Sequence, residues 1–403
     1  MLKRERYLER IRPFFGSDLI KVITGIRRCG KSVMLELIKQ ELAETGVSQG
    51  QLISMNFEDM GYSHLLTAKE LHDEIVQRAS TIQGKVYLFF DEIQEVKSWE
   101  KCLNSLRVKL DCDIYITGSN ANLLSGELAT YLAGRYVEFV IYPFSFEECF
   151  KIHKIIAPDT GINDVFKNYI MYGGLPKLAE FRYKDASCRQ YLRDIYYSVQ
   201  FKDVIQRNHL RDGDLLQRIM GYIMANAGTI FSATSLSKFL KSQHRTVAPE
   251  TIINYVRCCC DAYLCHQVKR EDLQGKQILA MNEKYYLTDH GIRETIFGTN
   301  TRDIHLVLEN IVYLEMIRRG YEVTFAKAGT KEIDFVGRKS GQQIYIQVCY
   351  LLSSPETVAR EFGVYETIKD NYPKYVLSLD EFDFSRDGIQ HVNIRDFLLS
   401  TEW

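Results

Sequence analysis

At 403 residues the chain is long for one compact domain and suggests two or three. Its hydrophobic fraction of 46% belongs to an ordinary globular protein, and its net charge of −1 excludes attraction of nucleic acid by global charge, so any such face must be a local basic patch. The opening MLKRERYLERIRPFF has no apolar stretch of the secretion type, and VYLFF at 86–90 is far too short to span a bilayer. A cytoplasmic protein without a membrane partner is expected, with its ten cysteines as reduced thiols.

In chain order, Ile20–Thr24 reads as a buried strand, and Gly25-Ile26-Arg27-Arg28-Cys29-Gly30-Lys31-Ser32 follows it. This is a full GxxxxGKS between an apolar strand and an amphipathic helix, Ser32–Glu44. The glycines let backbone N–H groups curl around phosphates, and the helix N-terminus adds its dipole. The phosphate-binding set is therefore Gly25, Arg27, Arg28, Cys29, Gly30, Lys31, Ser32 and Val33, with Lys31 on the β- and γ-phosphates of ATP and Ser32 on Mg²⁺.

Leu52–Phe57 is the next strand and Ala68–Ser80 the next helix. Val86–Phe90 is a fully apolar strand from whose end Asp91 and Glu92 emerge. Asp91 would hold Mg²⁺ through water, and Glu92 would orient and deprotonate the attacking water. The helix Ser98–Leu110 leads to strand Ile114–Thr117, which ends in Gly118-Ser119-Asn120. Asn120 or Ser119 there serves the γ-phosphate or the water, caps the following helix, or does both. Gly134-Arg135 precedes the strand Tyr136–Ile141, and Arg135 is either an arginine finger for a neighbouring subunit or a surface ion-pair arginine. The strand–helix alternation over 19–142 argues for a parallel sheet covered on both faces, an α/β core.

From Pro143 the pattern turns helical, with Phe144–Phe150, Asp164–Met171 and Ala186–Gln206. Leu215–Ala225, Ser232–Leu240 and Pro249–Cys260 read as three helices, followed by Ala262–Lys269 and Gln277–Leu287 as a β-wing. Around this module lie Lys238, Lys241, His244, Arg245, Lys269, Arg270 and Lys276, which either meet DNA phosphates or leave the module a structural lid or dimer contact. Cys258, Cys259, Cys260 and Cys265 beside His266 lack a second paired motif and read as buried small hydrophobes rather than metal ligands. Beyond 305 come the helix Leu306–Arg319, strands Glu322–Ala326, Glu332–Arg338 and Gln343–Val348, the helix Ser354–Lys369 and the strand Lys374–Ser378.

GIRRCGKSVML, NFED at 56–59, FFDEIQEVKSWE at 89–100, TGSNANLLSGELATYLAGRY at 117–136, YPFSFEE at 142–148 and Tyr172-Gly173-Gly174-Leu175-Pro176 resemble a group of prokaryotic AAA+ ATPases. The stretch after 300 resembles the C-terminal domain of unknown function that such ATPases carry, which is similar to the PD-(D/E)XK nuclease fold. The resemblance implies an ATPase core over 1–142, a helical lid over 143–213, a winged-helix module over 214–300 and a degenerate nuclease-like domain over 301–403. It also implies ATP and Mg²⁺ as ligands, the roles of Lys31, Ser32, Asp91, Glu92 and Ser119 or Asn120 given above, and homo-oligomerisation if Arg135 acts in trans. The nuclease chemistry needs a helical acid, an Asp, and an acid-x-Lys on the next strand. Glu309 or Glu315 and Asp334 fit, but Gln347 stands for the acid and Cys349 for the lysine, with Lys327 or Lys331 as substitutes from a neighbouring strand. Cleavage is not expected. The expected function is ATP hydrolysis that drives a conformational change in nucleic-acid or partner-protein handling; the alternatives are an ATP-regulated nuclease and a nucleotide-binding scaffold.

Overall fold

Short segments rich in β-branched and aromatic residues alternate with amphipathic ones. A computed structural model describes residues 2–124, 131–272, 277–298, 303–328 and 331–403; residues 125–130 of the TGSNANLLSGELATYLAGRY stretch and Lys276 lie outside these. Two units are formed, Met1–Tyr142 with Asp261–Tyr263, and Pro143–Cys260 with Leu264–Trp403.

In the first unit the order is α1 (Glu5–Ile11), β1 (Ile20–Thr24), α2 (Lys31–Glu44), β2 (Leu52–Asn56), α3 (Ala68–Ala79), β3 (Val86–Asp91), α4 (Trp99–Lys109), β4 (Cys112–Thr117) and β5 (Tyr136–Val140). The helix α1 is absent from the sequence reading, because a seven-residue ERYLERI gives too little period. The sheet order is β2-β3-β4-β1-β5, and every pairing is parallel. Phe90 stands opposite Ile116, Ile23 opposite Thr117 and Thr24 opposite Val140, so the strands end together at one edge. The sheet core of Val22, Leu88, Phe90, Ile114 and Ile116 packs with Leu71, Ile75, Trp99, Leu103 and Leu106 of the helices α3 and α4.

One ion pair lies inside this core. Lys21 of β1 and Asp113 of β4 are both fully buried, and the ammonium donates to the Asp113 carboxylate. Tyr115 Oη (2.8 Å) and the Gly16 amide (2.7 Å) donate to the other carboxylate oxygen. Burial pushes the Lys21 ammonium below its ordinary range, and the charge of Asp113 opposes that shift.

In the second unit the order is α5 (Phe146–Ile156), α6 (Ile162–Tyr172), α7 (Asp185–Ser198, continued by a π-helical Val199–Gln206), α8 (Gly213–Ala225), β6 (Ile230–Phe231), α9 (Ala233–Ser242), α10 (Pro249–Asp261), β7 (Cys265–Asp272), β8 (Gln277–Leu287), α11 (His290–Phe297), α12 (Ile304–Arg318), β9 (Glu322–Ala328), β10 (Lys331–Lys339), β11 (Gln342–Val348), α13 (Pro355–Phe362), β12 (Lys374–Ser378), β13 (Gln390–Asn393) and α14 (Ile394–Leu399). One eight-stranded sheet runs β13-β12-β11-β10-β9-β7-β8-β6. β9, β10 and β11 form an antiparallel meander, while β11, β12 and β13 are parallel. The hairpin of β7 and β8 joins this sheet through a parallel β7–β9 pairing, so strand hydrogen bonds cross the expected boundary at 300.

The helix expected over Ser354–Lys369 ends at Phe362 in a 3₁₀ turn, Gly363–Tyr365, where Lys331 Nζ takes the Gly363 carbonyl at 2.9 Å. The elements α11, β13 and α14 are also additions to the sequence reading; each has eight residues or fewer. Helix α12 is buried nearly all round, with Glu309, Asn310 and Glu315 among its buried residues. The side-chain amide of Asn310 on that helix bonds both the N–H and the C=O of Leu287 at 2.8 Å.

Asp113→Ala leaves the Lys21 ammonium buried without its partner. It is expected to destabilise the first unit by about 3–5 kcal/mol, read as an earlier urea transition, and Lys21→Met with Asp113→Leu should recover most of the loss.

Candidate functional site

The residues that the motifs singled out meet at the C-terminal edge of the parallel sheet. Between β1 and α2 the chain turns sharply. Gly25 has φ +137°, and a Cβ there would lie 2.2 Å from the Ile141 carbonyl oxygen, so no side chain fits. Gly30, at φ +106°, lets α2 begin directly at Lys31. The Lys31 ammonium donates to the carbonyls of Gly25 (3.2 Å) and Ile26 (3.3 Å) and stands 3.9 Å from Glu92 Oε1.

Of the other loop residues, Ser32 and Arg28 are exposed, Val33 is 40% exposed, and Arg27 pairs with Glu58 at 3.4 Å. The Cys29 side chain is fully buried and burial pushes its thiol up, so Cys29 offers a ligand only its backbone. Arg4, absent from the sequence reading, anchors the loop by donating to the carbonyls of Cys29 (3.2 Å) and Tyr142 (2.9 Å). Nothing in the sequence around Arg4 signals that contact.

Strand β3 brings the two carboxylates to the same edge, both buried, with Glu92 in left-handed backbone at φ +53°. A hydroxyl from β4 organises them. Thr117 Oγ1 donates to Asp91 Oδ1 and accepts from the Glu92 amide at 2.9 Å. Gln94 Nε2 donates to Glu92 Oε2. The Gly118 amide bonds the Ile23 carbonyl at 3.1 Å, which brings the buried Ser119 and Asn120 to this edge. The Asn120 carbonyl accepts from the Leu123 amide at 3.2 Å, at the start of a short 3₁₀ turn. At the end of β1, Thr24 Oγ1 donates to Glu138 at 2.6 Å and accepts from Tyr263 Oη at 2.8 Å. Thr117, Gln94 and Tyr263 were also missed by sequence reasoning, though Thr117 could be inferred as the last polar residue of an apolar strand.

Arg135 is not among these groups. It precedes β5, at the N-terminal edge, where it donates to Asn104 at 3.2 Å. It lines a cleft of ≈370 Å³ with Asp18, Lys85, Arg107 and Asp111. A five-residue strand separates the two edges by about 16 Å, so Arg135 cannot reach this subunit's own loop.

The donor set suits a phosphate and a hard cation. Amides at a helix start and one ammonium face an anion, and the Ser32 hydroxyl and the Asp91 carboxylate are oxygen ligands. Among the described residues no three His, Cys, Asp or Glu side chains are grouped to hold a metal. Mg²⁺ needs no such group when phosphates supply part of its shell. Among the described residues the cysteines near His266 form no disulfide, and Cys258, Cys259 and Cys265 are buried.

In the second unit Glu309 and Asp334 are buried together, while Glu315 pairs instead with Arg319 at 2.7 Å. The lysine inside this cluster is Lys284, 3.2 Å from Glu309 and 2.7 Å from Glu332. Lys327 is exposed, and Lys331 is bound to the Gly363 carbonyl. Burial and the charge of Glu309 hold the Asp334 carboxyl well above its usual range. Gln347 Nε2 donates to Glu361 at 3.0 Å, and Cys349 is buried with its thiol pushed up. Around the hairpin Lys238, Lys241, His244 and Lys269 are exposed and Arg270 is half-buried, but Arg245 is paired with Asp212 and Asp214.

Residues 17–150 match the family described as an AAA domain, and residues 163–303 match a domain of unknown function, DUF8612. An uncharacterized protein of Haemophilus influenzae is 35% identical over 402 residues, covering 99% of each chain. An uncharacterized protein of Methanocaldococcus jannaschii is 28% identical over 395 residues, 94% of this chain and 85% of its own. A Walker-type ATPase of Pyrococcus abyssi has a similar fold, with a TM-score of 0.50 and 14% identity over 74% of this chain and 96% of that one.

Thr117→Val keeps the shape of the side chain and leaves the Glu92 amide and one Asp91 oxygen without the hydroxyl. It should lower stability by about 1–3 kcal/mol in a denaturant melt, with Thr117→Ser losing about 1 kcal/mol or less.

Proposed function

The chain belongs to the family of that Haemophilus influenzae protein, and on this premise, with its AAA domain at residues 17–150, we propose that it binds ATP with Mg²⁺ and hydrolyses it at the C-terminal edge of the parallel sheet. The observation that carries this reading is the convergence of Lys31, Asp91, Glu92 and Thr117 there, from three different strand ends. Lys31 now rests on two carbonyls of its own loop, weak partners that a triphosphate would replace with charged oxygens. Amides of Gly25 to Val33 cradle the phosphates, and Arg27 and Arg28 add positive charge at the loop. Ser32 and Asp91 would hold Mg²⁺, which when bound would neutralise charge on the phosphates.

Glu92 then takes a proton from water as the water oxygen bonds to the γ-phosphorus. The bond from that phosphorus to the bridging oxygen breaks, and ADP leaves with the electron pair. Asn120 or Ser119 contacts the γ-phosphate or the water. Arg135 acts only on a neighbour's nucleotide, which makes a homo-oligomer part of the reading.

The output assigned to the second unit is nucleic-acid or partner-protein handling. Residues 143–213 serve as the lid and 214–300 as a winged helix, supported by the order helix, short strand, two helices and hairpin, with β6 paired to β8. DNA phosphates would meet Lys238, Lys241, His244 and Lys269; Arg245 is already engaged by two carboxylates. Residues 301–403 keep a nuclease-like framework without cleavage, because Lys284 already pairs with both Glu309 and Glu332.

Glu92→Gln is expected to lower steady-state ATP turnover by about 10²- to 10⁴-fold while ATP still raises the melting temperature, with duplex or single-stranded DNA stimulating the wild type. Wild type that binds ATP without turning it over would sink the hydrolysis reading, and turnover blind to DNA would favour a protein partner. Incubation of plasmid with Mg²⁺ or Mn²⁺ should leave it intact; cleavage abolished by Asp334→Ala would overturn the inert reading of the C-terminal cluster.

A further inference from the structure

We infer that Gln94 is the positioning residue for Glu92, fixing which carboxylate oxygen is presented to water and tying the base to the loop that carries Ser119 and Asn120. This rests on the proposed hydrolysis and goes beyond it, since neither the motif nor the family match at residues 17–150 assigns Gln94 a part.

Three observations carry it. First, Gln94 Nε2 donates to Glu92 Oε2, while the other oxygen, Oε1, faces the Lys31 ammonium at 3.9 Å. A carboxylate tied down on one oxygen has only the other left for a proton, and here that oxygen is on the side of the phosphate-binding lysine. Second, the amide oxygen of Gln94 is cut off from solvent and has no hydrogen-bond partner among the described residues. Nothing holds the far end of the amide by a polar bond, so its orientation is set by the carboxylate it serves. Third, that same oxygen lies where it would be 3.0 Å from a Cβ built on Gly118, and Leu123 Cδ2 would be at 2.8 Å. Gly118 is thus kept free of a side chain where Gln94 packs against the end of β4. The two residues that follow are Ser119 and Asn120, both buried at the phosphate edge. One side chain therefore touches the base and the turn next to the γ-phosphate contacts.

Backbone geometry makes this arrangement necessary. Glu92 is in left-handed conformation and a 3₁₀ turn, Ile93–Glu95, follows it at once. That reversal folds Gln94 back over Glu92, two residues away, where an extended strand would have sent both side chains to the same face at a wider spacing. The unusual backbone of Glu92 and the hydrogen bond from Gln94 therefore belong to one local structure.

Gln94→Met keeps length and volume and deletes the donor. The expected result is a fall in kcat of about 10- to 100-fold, with KM for ATP and the ATP-induced rise in melting temperature within about twofold of wild type. If Gln94→Met does not fold, Gln94→Glu, which keeps the shape but places a carboxylate against Glu92, should give the same split between kcat and nucleotide binding. Turnover at the wild-type rate in Gln94→Met overturns the inference, and so does a parallel loss of kcat, nucleotide binding and melting temperature, which marks a packing role. Wild type without turnover sinks the hydrolysis reading itself. Wild type active, Glu92→Gln inactive and Gln94→Met unaffected sinks only the role of Gln94.

Discussion

Parallel strands share one direction, so the backbone hydrogen bonds that join β1, β4 and β3 also deliver their last residues to one edge. Everything at the candidate site follows from that register. The phosphate loop leaves from Thr24, the carboxylates from Phe90 and the Thr117 hydroxyl from Ile116, on three neighbouring strands. A slip of one residue between β3 and β4 would turn Thr117 to the opposite face of the sheet from Asp91. The buried Lys21–Asp113 pair joins β1 to β4 inside the sheet, and a buried charge satisfied in only one register penalises the others. The helices α3 and α4 supply most of the apolar packing on the face that carries Leu88, Phe90 and Ile114, without which the strand edge would have no stable base.

The local part of this site was legible because it is written in consecutive residues. A GxxxxGKS after the strand Ile20–Thr24, and an Asp-Glu pair after the five apolar residues Val86–Phe90, need no knowledge of what lies beside them. The contacts that organise these groups join residues far apart in sequence. Arg4 reaches Cys29 and Thr117 reaches Asp91 across 25 and 26 positions, and no periodicity encodes such a meeting. Gln94 is two residues from Glu92, yet its contact depends on a left-handed backbone that an ordinary strand-to-helix reading does not supply. The place of Arg135 was recoverable: a residue just before a parallel strand must lie at the edge opposite the phosphate loop. In the second unit, Ile304–Arg318 has apolar residues on every side and no separate polar face, so its sequence announces a buried helix without saying what covers it. The pairing of β7 with β9 joins segments more than fifty residues apart, and the division at 300 that the resemblance implies runs through the sheet that results.

The two units use buried charge differently. In the first, Lys21 and Asp113 are matched one to one, with Tyr115 and the Gly16 amide completing the carboxylate. Such a pair is costly to desolvate and contributes more to register than to stability. In the second, one ammonium faces several carboxylates. Lys284 sits between Glu309 and Glu332, Tyr286 donates to Glu309, and the Asp334 carboxyl is raised by burial and by Glu309. A divalent cation entering this cluster would have to displace an ammonium that is only 2% exposed. Gln347 and Cys349 add neither charge nor a general base.

Glu92 shows where local rules yield to the site. A non-glycine residue at φ +53° is disfavoured by roughly 1–2 kcal/mol, and neither packing nor a helix cap requires it here, since its side chain caps nothing. What the conformation achieves is a reversal immediately after the strand. It keeps the Glu92 carboxylate at the sheet edge, turns its amide toward the Thr117 hydroxyl, and folds Gln94 back as a donor to it. Had the chain continued in extended form, the glutamate would point to the opposite face from Asp91, and the two acids could not serve one ligand. The strain is thus the local cost of placing adjacent carboxylates on the same side of a strand end. The bonds from Thr117 and Gln94 are what hold the backbone there, so the geometry of the Glu92 carboxylate and the stability of the turn are set by the same two residues.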